Sequence, residues 1–599
     1  MNILKKLFYL LTSPERRRAG VLMFMILVMA FLDMLGVASI LPFIAVLTNP
    51  ELVQTNAVLN ATFITSRQIG IHTYEQFLFI LGVLVFVLLI ISLAFKSLTT
   101  YAQNRFVLMR EYSIGKRLVK AYLRQPYSWF LNRSSVDLGK TILSEVGIVI
   151  QGGMIPLMTL IAQGTITLAL LIMLLMVDPL LTMIIGLVLG LTYVGIFTTV
   201  SRRLKRLGQA HIKANQERFT TVSEAFGAVK EVKIGGLEQA YIQRFVKPAE
   251  IYANSQATAQ AISQVPRFVM EAVAFGGMLL VIMYLMVQSG TFAGALPIIT
   301  LYTFAGYRLM PSLQQIYQAF TQLHFAKPAL DALHQDLSSL VATDAQHSKL
   351  TPLPLTQAIK LNQISYRYPN APQLALKGID LRIQAHSMVG FVGVTGSGKT
   401  TIMDVILGIL EPQEGNVSVD GQPITAANRR EWQSAIGYVS QHIYLADDSV
   451  AANIAFGTNS KDIKQHAIER AAKIANLHEF VSNNLPQGYA TIVGERGVRL
   501  SGGQRQRIGI ARALYHRPKV LILDEATSAL DNLTEQMVME ALNNLGNDIT
   551  IILIAHRLST VRQCDQIYLL ERGEVRASGT YNQLIASNKQ FAAMAGRAL

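Results

Sequence analysis

Long runs of apolar residues recur at helix length through the first half of the chain. The first run, residues 21–47, contains one charged residue, Asp33. A helix over this run is about 40 Å long, whereas the hydrocarbon core of a bilayer is about 30 Å thick. We therefore predict a transmembrane domain over residues 1–330 with six helices. The five further apolar runs lie at about residues 76–100, 147–177, 179–200, 268–288 and 292–313.

Lysine and arginine are distributed unevenly among the segments that join these runs. They are dense between runs two and three and between runs four and five, whereas Arg67 is the main exception in the other connections. Positively charged segments stay on the cytoplasmic side of a membrane. We therefore expect a multi-pass protein of the bacterial inner membrane with both termini in the cytoplasm. Topology and anionic lipid headgroups account for the net charge of +15, so we expect no nucleic acid partner.

Composition supports a membrane protein. Hydrophobic residues make up 51% and charged residues 15% of the chain, against about 25% charged residues in soluble domains. Only a short apolar stretch follows Lys5 and Lys6, which does not resemble a cleaved signal peptide. The single cysteine, Cys564, excludes an intrachain disulfide framework, and we expect it to pack as a small apolar residue.

The basic segments 101–140 and 201–255 combine polar residues with periodic apolar positions. We interpret them as membrane helices that continue into the cytoplasm and end in a short bend, so that residues of about 115–135 and 210–240 transmit motion to another domain. On the opposite side, segment 49–75 is longer than a turn. An amphipathic surface helix and an ordered loop both remain open for it.

The second half of the chain has a different pattern. Residues 331–357 are polar and contain two prolines, which is typical of a linker. From residue 358 to 599, short β-rich runs alternate with helical ones, which indicates an α/β P-loop nucleotide-binding domain. The clearest predicted strands are Ile359–Ile364, Met388–Val392, Val520–Leu523 and Thr550–Ile554.

A glycine-rich segment follows the strand at Met388–Val392. Residues 393–400 match the phosphate-binding pattern G-x-x-x-x-G-K-[ST]. Its glycines let backbone N–H groups approach phosphate oxygens, and the helix that follows adds a favourable dipole. We expect Lys399 to lie near the β- and γ-phosphates of ATP and the Thr400 hydroxyl to bind Mg²⁺. The predicted ATP-binding residues here are Gly393, Thr395, Gly396, Ser397, Gly398, Lys399, Thr400 and Thr401.

Two adjacent carboxylates end the apolar strand at Val520–Leu523. Burying two acids at a strand end is costly without a cation to meet them. We expect Asp524 to orient Mg²⁺, directly or through water. Glu525 is then the residue that polarises the water attacking the γ-phosphate.

Between these motifs lies Leu500-Ser501-Gly502-Gly503-Gln504, which resembles the signature segment of ABC ATPases. The resemblance covers the C-terminal region in its motifs and nearly the whole chain in its layout of six helices before one ATPase domain. It implies that Ser501, Gly502, Gly503 and Gln504 of one subunit close over ATP held by the partner's P-loop. One chain carries one set of motifs, so the resemblance also implies a homodimer with two active sites.

The same resemblance assigns further residues of the ATP site. It implies that Tyr368 stacks on adenine and that Gln441 contacts Mg²⁺ and the γ-phosphate side, beside Thr400 and Asp524 as metal-binding residues. His556 matches the histidine that acts at the γ-phosphate in ABC ATPases, the switch histidine, and is expected to assist Glu525 in catalysis. Two further segments resemble interface and coupling elements of exporters: Ser528–Asp531 at the dimer interface and Glu495–Gly497 near the coupling helices.

Four segments of the membrane half resemble PglK-type bacterial flippases of lipid-linked oligosaccharides. They are residues 2–10, residues 49–75, Val265-Pro266-Arg267 with Glu271, and Tyr307–Ser312. The resemblance implies that Arg267 and Arg308 contact the substrate. On the residues alone, both arginines could instead reach lipid headgroups, and Arg267 could pair with Glu271 four positions on. Asp33 could be a hydrogen-bonded packing acid.

The leading hypothesis is therefore ATP-driven export or flipping of an amphipathic, lipid-linked oligosaccharide substrate. Export of hydrophobic drugs, lipid A or peptides is the alternative within the same class. An ATP-gated channel is a third possibility, although the complete ATPase motifs favour turnover. Six apolar runs exclude a soluble ABC ATPase of DNA repair or translation.

Overall fold

The computed structural model describes residues 3–48, 52–55, 57–67, 73–289, 292–340, 351–369, 371–526, 530–543, 548–555 and 557–596. The chain forms two compact units. The first, the membrane unit, comprises Met1–Gln125 and Arg133–Thr343. The second, the ATPase unit, comprises Asp344–Leu599 together with the short segment Pro126–Asn132. The helix that ends the membrane unit continues to Ser339, into the predicted linker.

The described part of the membrane unit is helical. Its helices are α1 (Ile3–Leu10), α2 (Ser13–Ala38), α3 (Ile40–Thr48), α4 (Leu52–Thr55), α5 (Ala57–Arg67), α6 (Tyr74–Leu123), α8 (Ser135–Lys140), α9 (Val146–Val149), α10 (Ile155–Val177), α11 (Pro179–Gly227), α12 (Val229–Ile234), α13 (Glu238–Gln264), α14 (Pro266–Ser289) and α15 (Phe292–Ser339). Helix α7 (Tyr127–Phe130) lies between α6 and α8 in the sequence and belongs to the ATPase unit.

Four helical stretches among the described residues are long and apolar enough to cross a membrane. The predicted fifth and sixth spans correspond to α14 and α15. The side chains of some residues in these two helices are not among those that the structure describes. The four stretches are Ser13–Leu47, Tyr74–Leu123, Ser135–Val177 and Pro179–Gly227. The predicted helical membrane domain is therefore confirmed.

Two of the long helices are longer than a bilayer core is thick, and each is followed by a short helix, as predicted. Helix α6 has 50 residues and is followed by the four-residue α7, and α11 has 49 residues and is followed by the six-residue α12. Fifty helical residues span about 75 Å, far more than a bilayer core. Asp178 separates α10 from α11, and its side chain accepts a 3.1 Å hydrogen bond from the Leu181 amide, which caps α11.

Helix packing in the membrane unit is close at two glycines. A Cβ atom at Gly152 would lie 2.6 Å from the Ala326 Cβ, and one at Gly208 would lie 2.2 Å from the Phe325 carbonyl oxygen. Both contacts bring the backbone of another helix against α15. Gly152 also belongs to the second of two π-helical turns, Thr141–Glu145 and Ile150–Met154, which interrupt the stretch from α8 to α10.

Of the two alternatives left open for segment 49–75, the structure has a helical arrangement in the described part. Helices α4 and α5 pack around buried Val53 and Phe63, and the Phe63 ring stacks on Tyr74. Residues 49–51, 56 and 68–72 lie outside the described residues. At the N-terminus, α1 buries Leu7 and Leu10 and leaves Leu4 and Phe8 half exposed. The Lys6 ammonium forms a 2.6 Å ion pair with Asp331 on α15, which holds α1 against the helix bundle.

The ATPase unit contains two sheets. A four-stranded antiparallel sheet has the order β2-β1-β4-β5, and a six-stranded sheet has the order β10-β9-β3-β8-β7-β6 with a parallel centre. The strands are β1 (Ala358–Tyr366), β2 (Leu376–Gln384), β3 (Met388–Val392), β4 (Glu414–Val419), β5 (Gln422–Pro423), β6 (Ile436–Val439), β7 (Val520–Asp524), β8 (Thr550–Ile554), β9 (Gln566–Glu571) and β10 (Glu574–Gly579). All four predicted strands are present.

Helices cover the sheets of the ATPase unit. They are α16 (Lys399–Ile406), α17 (Arg429–Ser434), α18 (Val450–Ile454), α19 (Gln465–Ile474), α20 (His478–Asn484), α21 (Gly502–Tyr515), α22 (Asn532–Asn543), α23 (Tyr581–Ser587) and α24 (Lys589–Gly596). Short 3₁₀ turns occur at Ser460–Asp462, Gly488–Ala490 and Glu495–Gly497. Strands β3, β7 and β8 are buried throughout, as parallel strands covered on both faces should be. Cys564 is buried among apolar residues, as predicted.

Candidate active site and membrane charge cluster

The glycine-rich loop joins the buried strand β3 to α16 through backbone conformations that only glycine adopts easily. Gly393 has φ +154°, and a Cβ atom there would lie 2.3 Å from the Leu570 carbonyl oxygen. Gly398, the residue before α16, has φ +103°. These positions turn the chain sharply, so the N–H groups at the start of α16 are available to an anion.

The side chains of this loop fit a bound polyphosphate. The Lys399 ammonium donates hydrogen bonds of 2.8 Å and 3.1 Å to the carbonyl oxygens of Gly393 and Val394. Burial lowers the pKa of Lys399, and the negative charges of Glu525 and Asp524 oppose that effect. The Ser397 hydroxyl is buried and has no hydrogen-bond partner among the described residues. An anion bound in the loop would supply acceptors to both side chains. Thr395, Gly396 and Thr400 are exposed, whereas Thr401 is buried.

The two predicted carboxylates lie at the carboxyl end of β7, which is the same end of the sheet at which the loop follows β3. Asp524 ends the strand and is 5% exposed. Glu525 has φ +51°, an uncommon conformation for a residue other than glycine, and its amide donates a 3.1 Å hydrogen bond to the Ile554 carbonyl at the end of β8. A strained backbone of this kind is often found at functional sites. It turns the chain directly after the Mg²⁺-binding candidate Asp524.

Tyr438 on β6 and Gln441 in the segment after that strand both contact these carboxylates. The Gln441 side-chain amide donates a 2.7 Å hydrogen bond to Oε2 of Glu525. The Tyr438 hydroxyl donates a 3.4 Å hydrogen bond to Oδ2 of Asp524. Burial, followed by the charge of Asp524, raises the Tyr438 pKa. The structure thus brings together the predicted residues Gln441, Asp524 and Glu525 and adds Tyr438.

Asp404 is a further acid near this site that sequence analysis missed. Burial, together with the negative charge of Asp524, raises its pKa from 3.8 to about 6. Asp404 lies four positions after Thr400 on α16, so both residues are on the same helix face. That spacing was the signal in the sequence that could have identified it.

The signature segment begins α21. The Ser501 hydroxyl accepts a hydrogen bond from the Gln504 amide (3.2 Å), and the Gln504 side chain accepts one from the Ser501 amide (2.8 Å). This reciprocal capping holds Ser501, Gly502 and Gly503 at the helix N-terminus, where backbone N–H groups favour an anion. Ser501 itself is exposed. The segment therefore presents backbone N–H groups at the start of α21.

The structure describes only some of the remaining residues predicted for the ATP site. The Tyr368 hydroxyl lies 3.2 Å from the Thr401 hydroxyl, and its ring contacts Tyr366 edge to face. This contact holds Tyr368 next to the helix that follows the phosphate loop. His556 and residues 527–529, which include Ser528, lie outside the described residues. The predicted roles of Tyr368 and His556 therefore remain predictions.

A second group of charged side chains lies in the membrane unit. Asp33 on α2 is 2% exposed, and the Ser92 hydroxyl on α6 donates a 2.8 Å hydrogen bond to it. Lys96 and Arg308 approach the same carboxylate at 3.3 Å and 3.4 Å. We call Asp33, Ser92, Lys96 and Arg308 the membrane charge cluster. It contains two cations and one anion.

Asp33 and Arg308 were both candidates from the sequence, whereas their contact and the part of Lys96 in it become visible only in the structure. The available signal was a lysine inside the predicted second span, because charged residues within spans are rare and functional by default. Arg267 has a different environment. It is 57% exposed and forms a 2.7 Å ion pair with Glu271, the pairing that the sequence spacing suggested.

Comparison with known proteins defines the class of this protein. Residues 19–312 match the family model of the ABC transporter transmembrane region, and residues 376–528 match the family model described as ABC transporter. An ATP-dependent lipid A-core flippase of Cupriavidus pinatubonensis is 32% identical over 83% of each chain. The chain therefore belongs to the ABC transporter family, and it is an ATP-hydrolysing membrane transporter.

Two further comparisons describe its similarity within that family. An ATP-dependent lipid A-core flippase of Alkalilimnicola ehrlichii is 30% identical over 84% of this chain and 85% of its own length. The structure of a bacterial Atm1-family ABC exporter with ATP bound superimposes with a TM-score of 0.77 over 97% of this chain and 98% of that one, at 22% identity. The fold is thus that of an ABC exporter, which confirms the predicted combination of a helical transmembrane domain and an α/β ATPase domain.

Proposed function

We propose that this chain forms a homodimeric, ATP-driven flippase of the bacterial inner membrane whose cargo is a lipid with a phosphorylated, sugar-containing headgroup. The membrane charge cluster carries this proposal. A buried carboxylate held by two cations leaves one positive charge in excess inside a membrane-spanning bundle. Such a charge is costly in an apolar environment and is retained where it meets an anionic group.

A lipid A-core glycolipid is the first candidate cargo. Lipid A carries phosphate groups on a sugar core, which suit a cationic cluster through charge-assisted hydrogen bonds. The curated relatives described above, which align over more than four-fifths of the chain, bear the name lipid A-core flippase. Arg308 is the residue of this chain that we assign to the headgroup phosphate.

A lipid-linked oligosaccharide is the second candidate. Its pyrophosphate and sugars share the chemistry of the first candidate, and the segments around Arg267 and Arg308 resemble those of PglK-type flippases. Arg267 is exposed and already paired with Glu271. We therefore assign it a weaker role than Arg308, because exposed ion pairs contribute little net energy.

The ATPase side of the proposal uses two equivalent sites. Each site combines the P-loop of one subunit with the signature segment of the other, so that Lys399 and the capped N-terminus of α21 meet the phosphates from opposite sides. Thr400, Gln441 and Asp524 are the residues that would hold Mg²⁺, which neutralises charge on the β- and γ-phosphates. Glu525 orients the attacking water. We assign both termini to the cytoplasm, where ATP is available.

The test is ATP-dependent translocation in proteoliposomes with two fluorescent cargoes, a lipid A-core glycolipid and a lipid-linked oligosaccharide. Wild type, Glu525→Gln and Arg308→Ala are compared, with Arg203→Ala as the control, because Arg203 is an exposed arginine on α11. We expect Glu525→Gln to abolish translocation. We expect Arg308→Ala to slow it by about tenfold, while ATP hydrolysis without cargo is unchanged.

The outcomes test separately which cargo is moved, whether the membrane charge cluster takes part, and whether the protein is a flippase. Movement of only one cargo assigns it and rejects the other. Cargo movement that survives Arg308→Ala overturns the role of the membrane charge cluster. If neither cargo moves while ATP is hydrolysed, the flippase proposal fails, and export of hydrophobic drugs is tested next.

A further inference from the structure

Arg512 is an arginine of the ATPase unit to which the sequence motifs assign no role. It lies on α21, about three turns after Ser501 of the signature segment. Its Nη1 donates a 2.8 Å hydrogen bond to the Tyr444 carbonyl oxygen, and its Nε donates one of 2.8 Å to the Asn453 carbonyl oxygen. Its Nη2 donates a third, of 3.1 Å, to Oδ1 of Asn453. One guanidinium therefore joins α21 to two separate segments of the chain.

The second of these partners, Asn453, extends the link to Ala446. Asn453 is fully buried, and its Oδ1 accepts a 2.9 Å hydrogen bond from the Ala446 amide. Its Nδ2 donates a 3.0 Å hydrogen bond to the Ala446 carbonyl oxygen. The Phe456 ring covers the guanidinium of Arg512, whose Cζ lies 4.6 Å from the ring centroid, a favourable position for a cation. The guanidinium thus holds Tyr444 directly and Ala446 through Asn453.

Residues 441–446, which we call the glutamine segment, contain both Tyr444 and Ala446. The same segment packs on α21 between these hydrogen bonds and its first residue. A Cβ atom at Gly509 of α21 would lie 2.5 Å from Cδ1 of Ile443, so the absence of a side chain at this glycine makes room for the isoleucine. The glutamine segment is therefore attached to α21 by close packing as well as by the guanidinium.

The first residue of the glutamine segment contacts the candidate catalytic glutamate. The side-chain amide of Gln441 donates a 2.7 Å hydrogen bond to Oε2 of Glu525. Two residues separate Gln441 from Tyr444, whose carbonyl oxygen Arg512 binds. A shift of Tyr444 relative to α21 therefore displaces the amide that holds the carboxylate of Glu525.

We propose that Arg512 is a positioning residue for ATP hydrolysis, which fixes the glutamine segment against α21 and so orients the carboxylate of Glu525 through Gln441. The proposal rests on the role proposed above for Glu525 and is independent of the cargo. Because α21 begins with the signature segment, the same contacts relate the orientation of Glu525 to the position of that segment. A purely structural role differs, because its effect does not pass through Gln441.

The first experiment measures ATP hydrolysis by the full-length protein in lipid nanodiscs. Arg512→Met removes the three hydrogen bonds and keeps an unbranched side chain. We expect it to lower kcat by about tenfold and to change the KM for ATP by less than about threefold, because the orientation of Glu525 is lost while the phosphate loop is untouched. Arg512→Lys should have an intermediate kcat, because an ammonium does not reproduce the planar fork that binds all three acceptors.

Arg470 provides the matched control. Its guanidinium donates hydrogen bonds of 3.3 Å and 2.9 Å to the carbonyl oxygens of Leu514 and Tyr515 at the end of α21. Arg470→Met therefore removes hydrogen bonds to the same helix rather than to the glutamine segment. We expect it to lower Tm and to leave kcat within about twofold of wild type. If it lowered kcat by the same factor as Arg512→Met, loss of stability would explain both variants, and the proposal would fail.

The second experiment tests the route of the effect with a double-mutant cycle. In a Gln441→Ala background, Arg512→Met should lower kcat by less than about twofold, because the contact that it positions is already lost. A loss of the same factor as in the wild-type background would overturn the proposal, and so would an Arg512→Met variant with the kcat of wild type. Glu525→Gln tests the underlying assignment separately. Hydrolysis by Glu525→Gln at the wild-type rate would reject the role of Glu525, whatever the result with Arg512.

Discussion

The side-chain amide of Gln441 donates a 2.7 Å hydrogen bond to Oε2 of Glu525, although 84 residues separate them in the sequence. The glutamine lies just beyond the end of β6, after Ser440, and the glutamate lies directly after β7, which pairs with β6 in parallel. The carboxyl ends of neighbouring parallel strands lie at one edge of a sheet, and this register brings the two side chains together. The orientation of Glu525 thus depends on Gln441.

Substitution of Gln441 by glutamate should slow ATP hydrolysis. A glutamate cannot donate the amide hydrogen bond to Oε2 of Glu525, and its carboxylate repels that of Glu525, so the catalytic geometry is lost. We expect kcat for Gln441→Glu to fall by about tenfold. Gln590→Glu, at an exposed residue on α24, is the control. A wild-type kcat with Gln441→Glu would contradict the coupling of the two residues.

Asp404 should make the stability of the ATPase unit depend on pH. Its pKa is raised from 3.8 to about 6, so the unfolded chain releases this proton at lower pH than the folded chain. The contribution of Asp404 to stability is present below about pH 4 and is lost as the pH rises through about 6. Asp404→Asn should therefore raise Tm relative to wild type at pH 8 and leave the difference small at pH 4. Tm is measured by calorimetry at both pH values in EDTA.

The exposed Asp462 provides the control for this experiment. Asp462→Asn should leave the pH dependence of Tm as in wild type. If Asp404→Asn lowered Tm at pH 8, the burial of an ionised Asp404 would not be a cost, and the explanation would be wrong.

A side chain at Gly208 should destabilise the membrane unit. The added Cβ atom of Gly208→Ala would lie 2.2 Å from the Phe325 carbonyl oxygen, which belongs to backbone and cannot rotate away. Overpacking of this kind costs about 1–3 kcal/mol. The measurement is thermal unfolding in detergent. Gly190→Ala on the same helix is the control, because a Cβ atom at Gly190 would have no heavy atom within 4 Å, and the substitution should be neutral or stabilising.

Removal of Asp33 should destabilise the protein more than removal of Lys96. Asp33→Ala leaves Lys96 and Arg308 without their shared carboxylate, which costs about 3 kcal/mol for a buried pair. Lys96→Met leaves Asp33 bonded to Ser92 and Arg308. The double variant Asp33→Ala/Lys96→Met should recover part of the loss, because it removes one unpaired cation. Unfolding of Asp33→Ala at the wild-type temperature would contradict this account of the cluster.

The sequence predicted those parts of the protein that local patterns determine. The phosphate loop between β3 and α16 and the buried strands each depend on neighbours within a few residues. The contacts of Asp33 do not, because Ser92 and Arg308 lie 59 and 275 positions away. Hydropathy identifies a charge within a span, but which helix faces it depends on the packing of the whole bundle.

The same limit applies within the ATP site. Motifs identified Gln441 and Glu525 separately, whereas their hydrogen bond follows from the pairing of β6 with β7. Elsewhere in the ATPase unit, the sequence pattern did not single out Glu535 in the first turn of α22, which is buried. A glutamate in the first turn of a helix is ordinarily a favourable partner for the helix dipole. Its distinction comes from burial against Thr560, which only the folded chain supplies.

The two π-helical turns at Thr141–Glu145 and Ile150–Met154 affect how the helical stretch from α8 to α10 can change in evolution. A π-turn accommodates about one extra residue, and one residue turns an α-helix by about 100°. Deleting a single residue within either turn would restore regular α-helix locally and rotate everything on one side of it about the axis. Relatives that lack one turn would then align across this segment with a one-residue gap, and Gly152 would no longer face Ala326.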